Sequence, residues 1–428
     1  MKRKKYEDFV KKSQWWSQEE LEKYQMGRLK ALLNHVYQNV PYYKELFQQR
    51  ALVPDDFQSI SDLEKIPILT RADVSNNFSK LIATNFKKRA LRRRKEKIHT
   101  SGSTGTPMCY YRDKYFRYME YALFRQGFEW AEIAMGKRIL RLTARPFLYE
   151  KFKGTAKYEL YWNRLSLSII DLEENIMDEY LDLIKKFKPE SVRGAPSALY
   201  ALALYAQSIG RNDISFKAYF VWCENIYDYQ KKVIEKQFNC RIYNFYASEE
   251  YLVYAMGCGN QEGSHIEIRK GVMEVVDDYG KQLPAGKSGR LVLTGFNNYI
   301  MPLIRYDIGD IGQIAEAQCS CGRGLPLLKT VYGRRSEHVD IGGKYISPAA
   351  LSVVVERVEN IKECQFIFEG KNNMEVIVVA KEDYSEEDTE TVIQLLKKVT
   401  AERIEVNVNI VEKIPRTEGG KYQLVVIK

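Results

Sequence analysis

The stretch His99-Thr-Ser-Gly-Ser-Thr-Gly-Thr-Pro107 constrains this chain more than any other. A run of small, hydroxyl-bearing residues suits a loop that wraps a polyphosphate. Gly102 and Gly105 let the backbone approach and turn its N–H groups inward, and Ser101, Ser103, Thr104 and Thr106 add hydroxyl donors. A Walker A loop needs Gly-Lys-Ser/Thr after four intervening residues, and Gly105-Thr-Pro107 stands here instead, which disfavours a P-loop NTPase. A flexible exposed linker has the same composition. The neighbouring motifs separate the two readings.

A chain of 428 residues allows two or three domains, and 45% hydrophobic with 29% charged residues is ordinary for a globular protein. No run reaches the roughly 18 apolar residues of a membrane span. The Lys-rich start leads into QWWSQEE rather than an apolar signal segment, so a cytoplasmic location is expected. Seven cysteines in that compartment point to metal binding or burial rather than disulfides. The net charge of +10 is partly concentrated in KKRALRRRKEK, residues 87–97, with eight basic residues and one acid. Such a run reads first as a solvated helix face and second as an attractor for CoA, a carrier protein or an anionic membrane surface. Without interleaved aromatics or a nucleic-acid module, nucleic acid is not an expected partner.

The pattern Leu29, Leu32, Leu33 and Val36 predicts helix in a peripheral N-terminal segment. From about 98 to 250, helical runs such as SALYALALYAQSIG alternate with strands such as AYFVWC and RIYNFYA, the rhythm of an α/β sheet. Residues 264–315 read as antiparallel β. Beyond Gly333-Arg-Arg-Ser336 the order helix, strand (MEVIVVA), helix, strand (VNVNIVE) predicts a small α+β lobe. The expectation is thus α/β plus α+β. A large domain over 1–334 has a β-rich part at about 255–330, and a small mobile lid over 335–428 closes on a nucleotide.

Three further motifs accompany the glycine-rich loop. Tyr246-Ala-Ser-Glu-Glu250 ends a predicted strand, where an aromatic face could stack on a base and a carboxylate could hold Mg²⁺. Arg305-Tyr-Asp-Ile-Gly-Asp310 puts carboxylates in a turn suited to ribose hydroxyls. Pro415-Arg-Thr-Glu-Gly-Gly-Lys421 offers an ammonium on a glycine-freed tip.

In this order, with PYYKELF and IPILTRADV near the N-terminus, the set resembles the adenylate-forming enzymes, in the phenylacetate–CoA ligase-like branch that includes capsule-biosynthesis members. The resemblance spans nearly the whole chain. It implies the adenylate-forming fold, ATP phosphates held by Ser101, Gly102, Ser103, Thr104, Gly105 and Thr106, and adenine beside Trp222-Cys-Glu224 with Tyr246 flanking the base. It implies Mg²⁺ on Glu250, ribose on Asp310 and Arg334, and Lys421 bridging the substrate carboxylate and the nucleotide. The chain departs from the family pattern at Ala247, where glycine is usual, at Glu249 beside Glu250, and at Ser336-Glu337, where the hinge aspartate is usual. Of the two glutamates, Glu250 keeps the branch spacing to Cys258.

Cys258, His265 and the Cys319-Ser-Cys321 knuckle bracket the β-rich part. Three thiolates and an imidazole complete a closed tetrahedral shell, which predicts one structural Zn²⁺. Together these features predict an ATP-dependent ligase that activates a carboxylic acid and passes it to a thiol, CoA first. An amine or hydroxyl acceptor in polysaccharide or secondary metabolism stays open, as does a non-catalytic zinc-stabilised scaffold.

Overall fold

The computed structural model describes residues 2–87, 95–99, 108–113, 117–144, 154–170, 172–248, 250–341, 344–370, 373–400, 403–417 and 422–428. It divides into two compact units, Met1–Trp130 with Phe245–Val331 and Ala131–Asn244 with Tyr332–Lys428. Among the described residues no helix is long and apolar enough to cross a membrane.

In the first unit, helix Gln18–Asn39 starts at a capping box, with Ser17 Oγ accepting from Glu20 N at 3.2 Å and Ser17 N donating to Glu20 Oε2 at 2.8 Å. Its apolar positions at helical spacing, Leu29, Leu32, Leu33 and Val36, are fully buried. This corrects the peripheral reading: they belong to the unit's main core, with Phe296, Ile300 and Leu303. The strands run in the order Gly271–Val276, Ser288–Gly295, Tyr306–Ile314, Leu327–Arg334, Ser264–Ile266, Tyr254–Gly257 and the end of Arg241–Ala247. Their registered pairs are antiparallel, as residues 264–315 predict. Lys95–His99 pairs antiparallel with Cys109–Asp113. The described end of the basic run is therefore strand, not the expected helix face; Glu96 pairs with Arg112 across this ribbon and with Arg117 at the start of helix Arg117–Trp130.

In the second unit, strands Arg241–Ala247, Ala218–Val221, Ser191–Gly194, Ile139–Thr143 and Arg164–Ser168 pair in parallel, and Ala156–Glu159 closes the edge antiparallel. Helix Glu174–Phe187 lays Met177, Tyr180, Leu181 and Ile184 on this sheet, one apolar stripe at i, i+3, i+4 and i+7. The C-terminal part is a four-stranded sheet in the order Glu405–Ile410, Asn373–Ala380, Ile361–Glu369, Val425–Ile427, with helices Pro348–Arg357 and Glu386–Thr400. Its core residues Leu351, Val354, Phe366 and Leu424 join one apolar cluster with Leu199, Tyr229 and Ile234. That shared cluster is why residues 332–428 group with 131–244. The architecture is mixed α/β with a large sheet and a small C-terminal α+β part, as expected.

Candidate functional site

The Arg305-to-Asp310 motif is held from behind by charge. Arg305, 2% exposed, donates to Glu274 Oε1 at 3.1 Å, to the Ile66 carbonyl at 2.8 Å and to the Gly280 carbonyl at 2.7 Å. A planar fork engaged on three sides fixes the backbone that follows it. The expected turn is instead strand Tyr306–Ile314, whose pairing with Ser288–Gly295 shifts register between Arg290 and Val292; at this irregularity Gly309 N donates to Asp307 Oδ1 at 2.8 Å and Gly309 takes φ +82°, a conformation that favours glycine. Asp310 follows in the same strand and accepts a hydrogen bond from the Tyr246 hydroxyl at 2.7 Å. Two residues 64 positions apart, singled out for base and ribose, thus touch. Tyr306, one residue after the anchor, points its hydroxyl to Glu250 Oε1 at 3.3 Å and to Met108 Sδ at 3.5 Å. The first described residue after the glycine-rich loop therefore lies beside the candidate Mg²⁺ ligand.

Ser101, Gly102, Ser103, Thr104, Gly105 and Thr106 lie outside the described residues, as do Glu249 and Lys421. Tyr422, next after Lys421, is described in the second unit. Its N–H donates to Glu224 Oε1 at 3.2 Å, and Glu224 Oε2 accepts from Ser197 N at 3.2 Å. Desolvation raises the Glu224 pKa, against these hydrogen bonds and the charge of Arg416, which lower it. Glu224 thus anchors the backbone of the tail. Arg416 pairs with Glu363 and lies 5.0 Å from the Tyr422 ring, fixing the tail on both sides of residues 418–421. At the hinge motif, Gly333 has φ +104°, and a Cβ there would meet Glu337 Oε2 at 3.2 Å. Arg334 N donates to that same carboxylate at 3.3 Å, and its carbonyl meets His338 Nδ1 at 2.9 Å. Glu337, standing near the place of the usual aspartate, is used to cap this turn.

The sulfur and nitrogen groups converge fully. Ligand atoms of Cys258, His265, Cys319 and Cys321 all lie within 4.8 Å of one another. Cys258 Sγ is 3.6 Å from Cys319 Sγ, and Cys321 Sγ is 3.3 Å from His265 Nε2. Zinc–sulfur bonds of about 2.3 Å and zinc–nitrogen bonds of about 2.0 Å require tetrahedron edges of roughly 3.5 to 3.8 Å, so the donor set fits the ion. His265 Nδ1 meets the Leu325 carbonyl at 3.3 Å, which turns Nε2 to the sulfurs. Burial pushes the His265 pKa down to about 4, so the imidazole is neutral, the form that ligates. Gly322, at φ +80°, closes the knuckle that delivers both of its sulfurs.

Sequence reasoning passed over three residues that the structure brings to Glu250. Tyr306 sat inside a motif already singled out. Arg112 and Asn297 carry no motif; both line, with Glu250, a small pocket of about the size of one water.

Residues 340–428 match the family model for the CapK C-terminal domain. Protein CapK of Staphylococcus aureus is 27% identical over 419 residues, covering 94% of this chain and 88% of its own. A phenylacetate–coenzyme A ligase of Thermus thermophilus is 25% identical over 440 residues, covering 95% and 96%. Among solved structures, a 2-hydroxyisobutyryl-CoA ligase in its postadenylation state shares the fold, with TM-score 0.78 at 17% identity over 97% of this chain and 91% of that one.

Proposed function

Because the chain belongs to the adenylate-forming superfamily, in the branch of CapK and the phenylacetate–CoA ligases, we propose that it activates a carboxylic acid with ATP and passes the acyl group to a thiol, CoA first. The observation that carries this reading is the junction of Tyr246 with Asp310, next to Tyr306 with Glu250 and Met108, on one face of the first unit. A carboxylate is a poor electrophile. In this reading its oxygen attacks the α-phosphorus of ATP, the bond to the bridging oxygen breaks, and pyrophosphate leaves with that electron pair. The resulting mixed anhydride has AMP as leaving group, and a thiol displaces it.

Such a transfer needs positioning and charge neutralisation more than a protein nucleophile. Asp310, oriented by the Tyr246 hydroxyl, accepts from the ribose, and Arg334 contributes from the hinge turn. Ser101 to Thr106 hold the phosphates. Glu250 would hold Mg²⁺, which supplies charge neutralisation on the phosphate oxygens. Lys421 would bridge the reacting carboxylate and the nucleotide, and the residues flanking its segment are held, Arg416 by Glu363 and Tyr422 by Glu224. The hinge at Gly333 supports rotation of the part from 335 onward as a lid. Cys258, His265, Cys319 and Cys321 would hold one zinc ion, with no open coordination position and hence a structural role.

The match of residues 340–428 to CapK's C-terminal domain leaves the acceptor unspecified, and an amine or hydroxyl in place of CoA is the second reading. A screen of aryl, fatty and amino acids for ATP-dependent pyrophosphate release tests activation, and thioester detection separates CoA from other acceptors. No release from any acid, with ATP bound, defeats the reading in favour of a scaffold.

A further inference from the structure

The parallel strands of the second unit set two successive rows of side chains across their sheet. One row, Leu165, Leu140, Val192, Tyr219 and Ile242, is buried in the unit's apolar cluster. The next row, on the opposite face, is Ser166, Arg141, Arg193, Phe220 and Tyr243. Central strands of parallel sheets are ordinarily apolar on both faces, so the registered pair of arginines, Arg141 and Arg193, breaks the pattern.

The two are provided for differently. Arg141 Nε donates to Ser166 Oγ at 3.0 Å, and its Nη2 lies 3.4 Å from Glu159 Oε2. That carboxylate also accepts from Arg164 Nε at 2.8 Å and Nη2 at 2.7 Å, a fork-on-carboxylate pair, and from Ser166 Oγ at 2.6 Å. The Arg193 guanidinium makes no hydrogen bond or ion pair among the described residues; its central carbon stands 5.6 Å from the centre of the Trp222 ring. Desolvation, and then the charges of Arg164 and Arg141, push its pKa down to about 10, so it is charged at neutral pH and unfavourably placed. It keeps some exposed surface, through which a ligand can meet it.

The position is one where open α/β sheets bind ligands. From Ile139–Thr143 the chain adds Arg164–Ser168 on one side, then Ser191–Gly194 on the other. The strand order therefore reverses between the two strands that carry Arg141 and Arg193, and ligands bind outside the carboxyl ends of strands at such a point. Arg193 is the last residue but one of its strand. Trp222 donates its N–H to the Gly194 carbonyl at 3.0 Å, next to Arg193. Two residues on, Glu224 accepts from the N–H of Tyr422, the residue after Lys421. One short segment thus touches Arg193 at its first residue and the tail that carries Lys421 at its third.

We propose that Arg193, with Arg141 beside it, seats a second carboxylate of the acid that the chain activates, so that the substrate is a dicarboxylic acid. This rests on the adenylation reading and adds the substrate class to it. A guanidinium with its fork open calls for a planar oxyanion held by two parallel hydrogen bonds, and one unmatched positive charge calls for one negative charge. A carboxylate meets both requirements, as Glu159 does on Arg164.

Matched acids test the assignment on the full chain: succinate, glutarate, adipate and terephthalate against butyrate, valerate, hexanoate and benzoate, with inorganic phosphate as a further probe. Unfolding midpoints report binding, and ATP-dependent pyrophosphate release reports turnover. At least one dicarboxylate is expected to raise the wild-type midpoint where its partner does not, and to exceed that partner in kcat/KM by about tenfold or more, as for hydrogen bonds to a charged group. Arg193→Gln abolishes the shift and brings the pair within about threefold, chiefly through KM, while Mg·ATP affinity stays within about twofold. Arg193→Lys keeps the charge without the fork and recovers part of the preference. Without ligand, Arg193→Gln unfolds at or above the wild-type midpoint, because it removes a desolvated charge that has no counter-charge.

A lower midpoint for that variant shows the guanidinium to be held by the protein and overturns the seat. Monocarboxylates used as well as their partners by the wild type, or equal losses for both acids in Arg193→Gln, also overturn it, while the adenylation reading stands on the release itself. An equal Arg193-dependent shift with inorganic phosphate overturns the carboxylate assignment. No release from any acid, by protein that binds Mg·ATP, overturns the adenylation reading and the substrate class with it.

Discussion

The interiors of the two units differ in kind. The first buries Asp113, Glu120, Glu267, Arg269, Lys270, Glu274 and Arg305, each at 7% exposure or less. Among the described residues, the fully buried polar side chains of the second are uncharged, Ser166, Ser168, Ser191, Ser197, Gln230, Gln237, Ser352, Gln365 and Thr400, and its desolvated charges Arg193 and Glu224 keep some exposed surface. The second is a layered α/β core whose apolar stripes suffice to order it. The first carries Glu250, Asp310 and the Cys/His cluster, and its charges work as braces: Arg305 holds the start of the strand that carries Asp310 through Glu274, and Arg269 ties Glu267 to Gln126 and the Val10 carbonyl. Buried ion pairs contribute little net stability but make the loss of one partner costly. The unit that must hold polar groups at fixed positions is the one that uses them.

Metal removal is expected to break this comparison most. Structural zinc supplies on the order of 10 kcal/mol in zinc-dependent folds. Metal analysis should find one zinc per chain, and chelation should lower the unfolding midpoint of the first unit while that of the second stays. Zinc-free protein with an unchanged first transition would remove the ion from the account.

Next in size is the brace itself. Glu267→Leu strands the Arg269 guanidinium and is expected to cost about 3 to 5 kcal/mol, most of it recovered in Glu267→Leu with Arg269→Met. In the second unit Leu199→Ala should cost a similar ~2 to 5 kcal/mol, with no single charged partner whose removal restores it. Denaturant midpoints of the three variants check this; a double variant as unstable as Glu267→Leu alone argues against stranded charge as the cause.

Lys421→Ala is expected to slow pyrophosphate release by about a hundredfold, some 2.7 kcal/mol of transition-state stabilisation, without moving either unfolding midpoint. Near-normal adenylate formation would take Lys421 out of the mechanism.

The smallest effect is a pH slope. Burial lowers the Lys270 pKa to about 7, against the opposing charge of Glu120 at 3.5 Å. The unfolded chain then binds more protons between pH 7 and the ordinary lysine range, so this group's contribution to stability rises with pH there and reaches its minimum below 7. The slope is at most about 1.4 kcal/mol per pH unit. It should vanish in Lys270→Met with Glu120→Gln, as read from denaturant midpoints between pH 7 and 9.

The legible parts were those whose chemistry needs particular atoms at short spacing. The Cys319-Ser-Cys321 knuckle with Cys258 and His265 could be named because thiolates and an imidazole around one β region have few other uses. The helix Gln18–Asn39 was legible from its apolar period, but its depth was not, since a stripe says that a face is covered and not by what. Strand Ile361–Glu369 was missed because its burial does not alternate, and Val425–Ile427 because three residues hold too little pattern. Arg112 and Asn297 could not be found by reading along the chain, because what surrounds them, Glu96 and Glu120 for the one and Arg28 for the other, comes from other segments of the sequence.

By itself the sequence determined most helices and the longer alternating strands, the order of the motifs and the four Cys/His side chains that come together, since periodicity and donor type are local properties. Tertiary structure alone decided that Tyr246 meets Asp310, that Glu224 holds the tail at Tyr422, and that Tyr306 reaches Glu250 and Met108. Those facts are distances between residues far apart in the chain, and a distance is set by how the whole core packs.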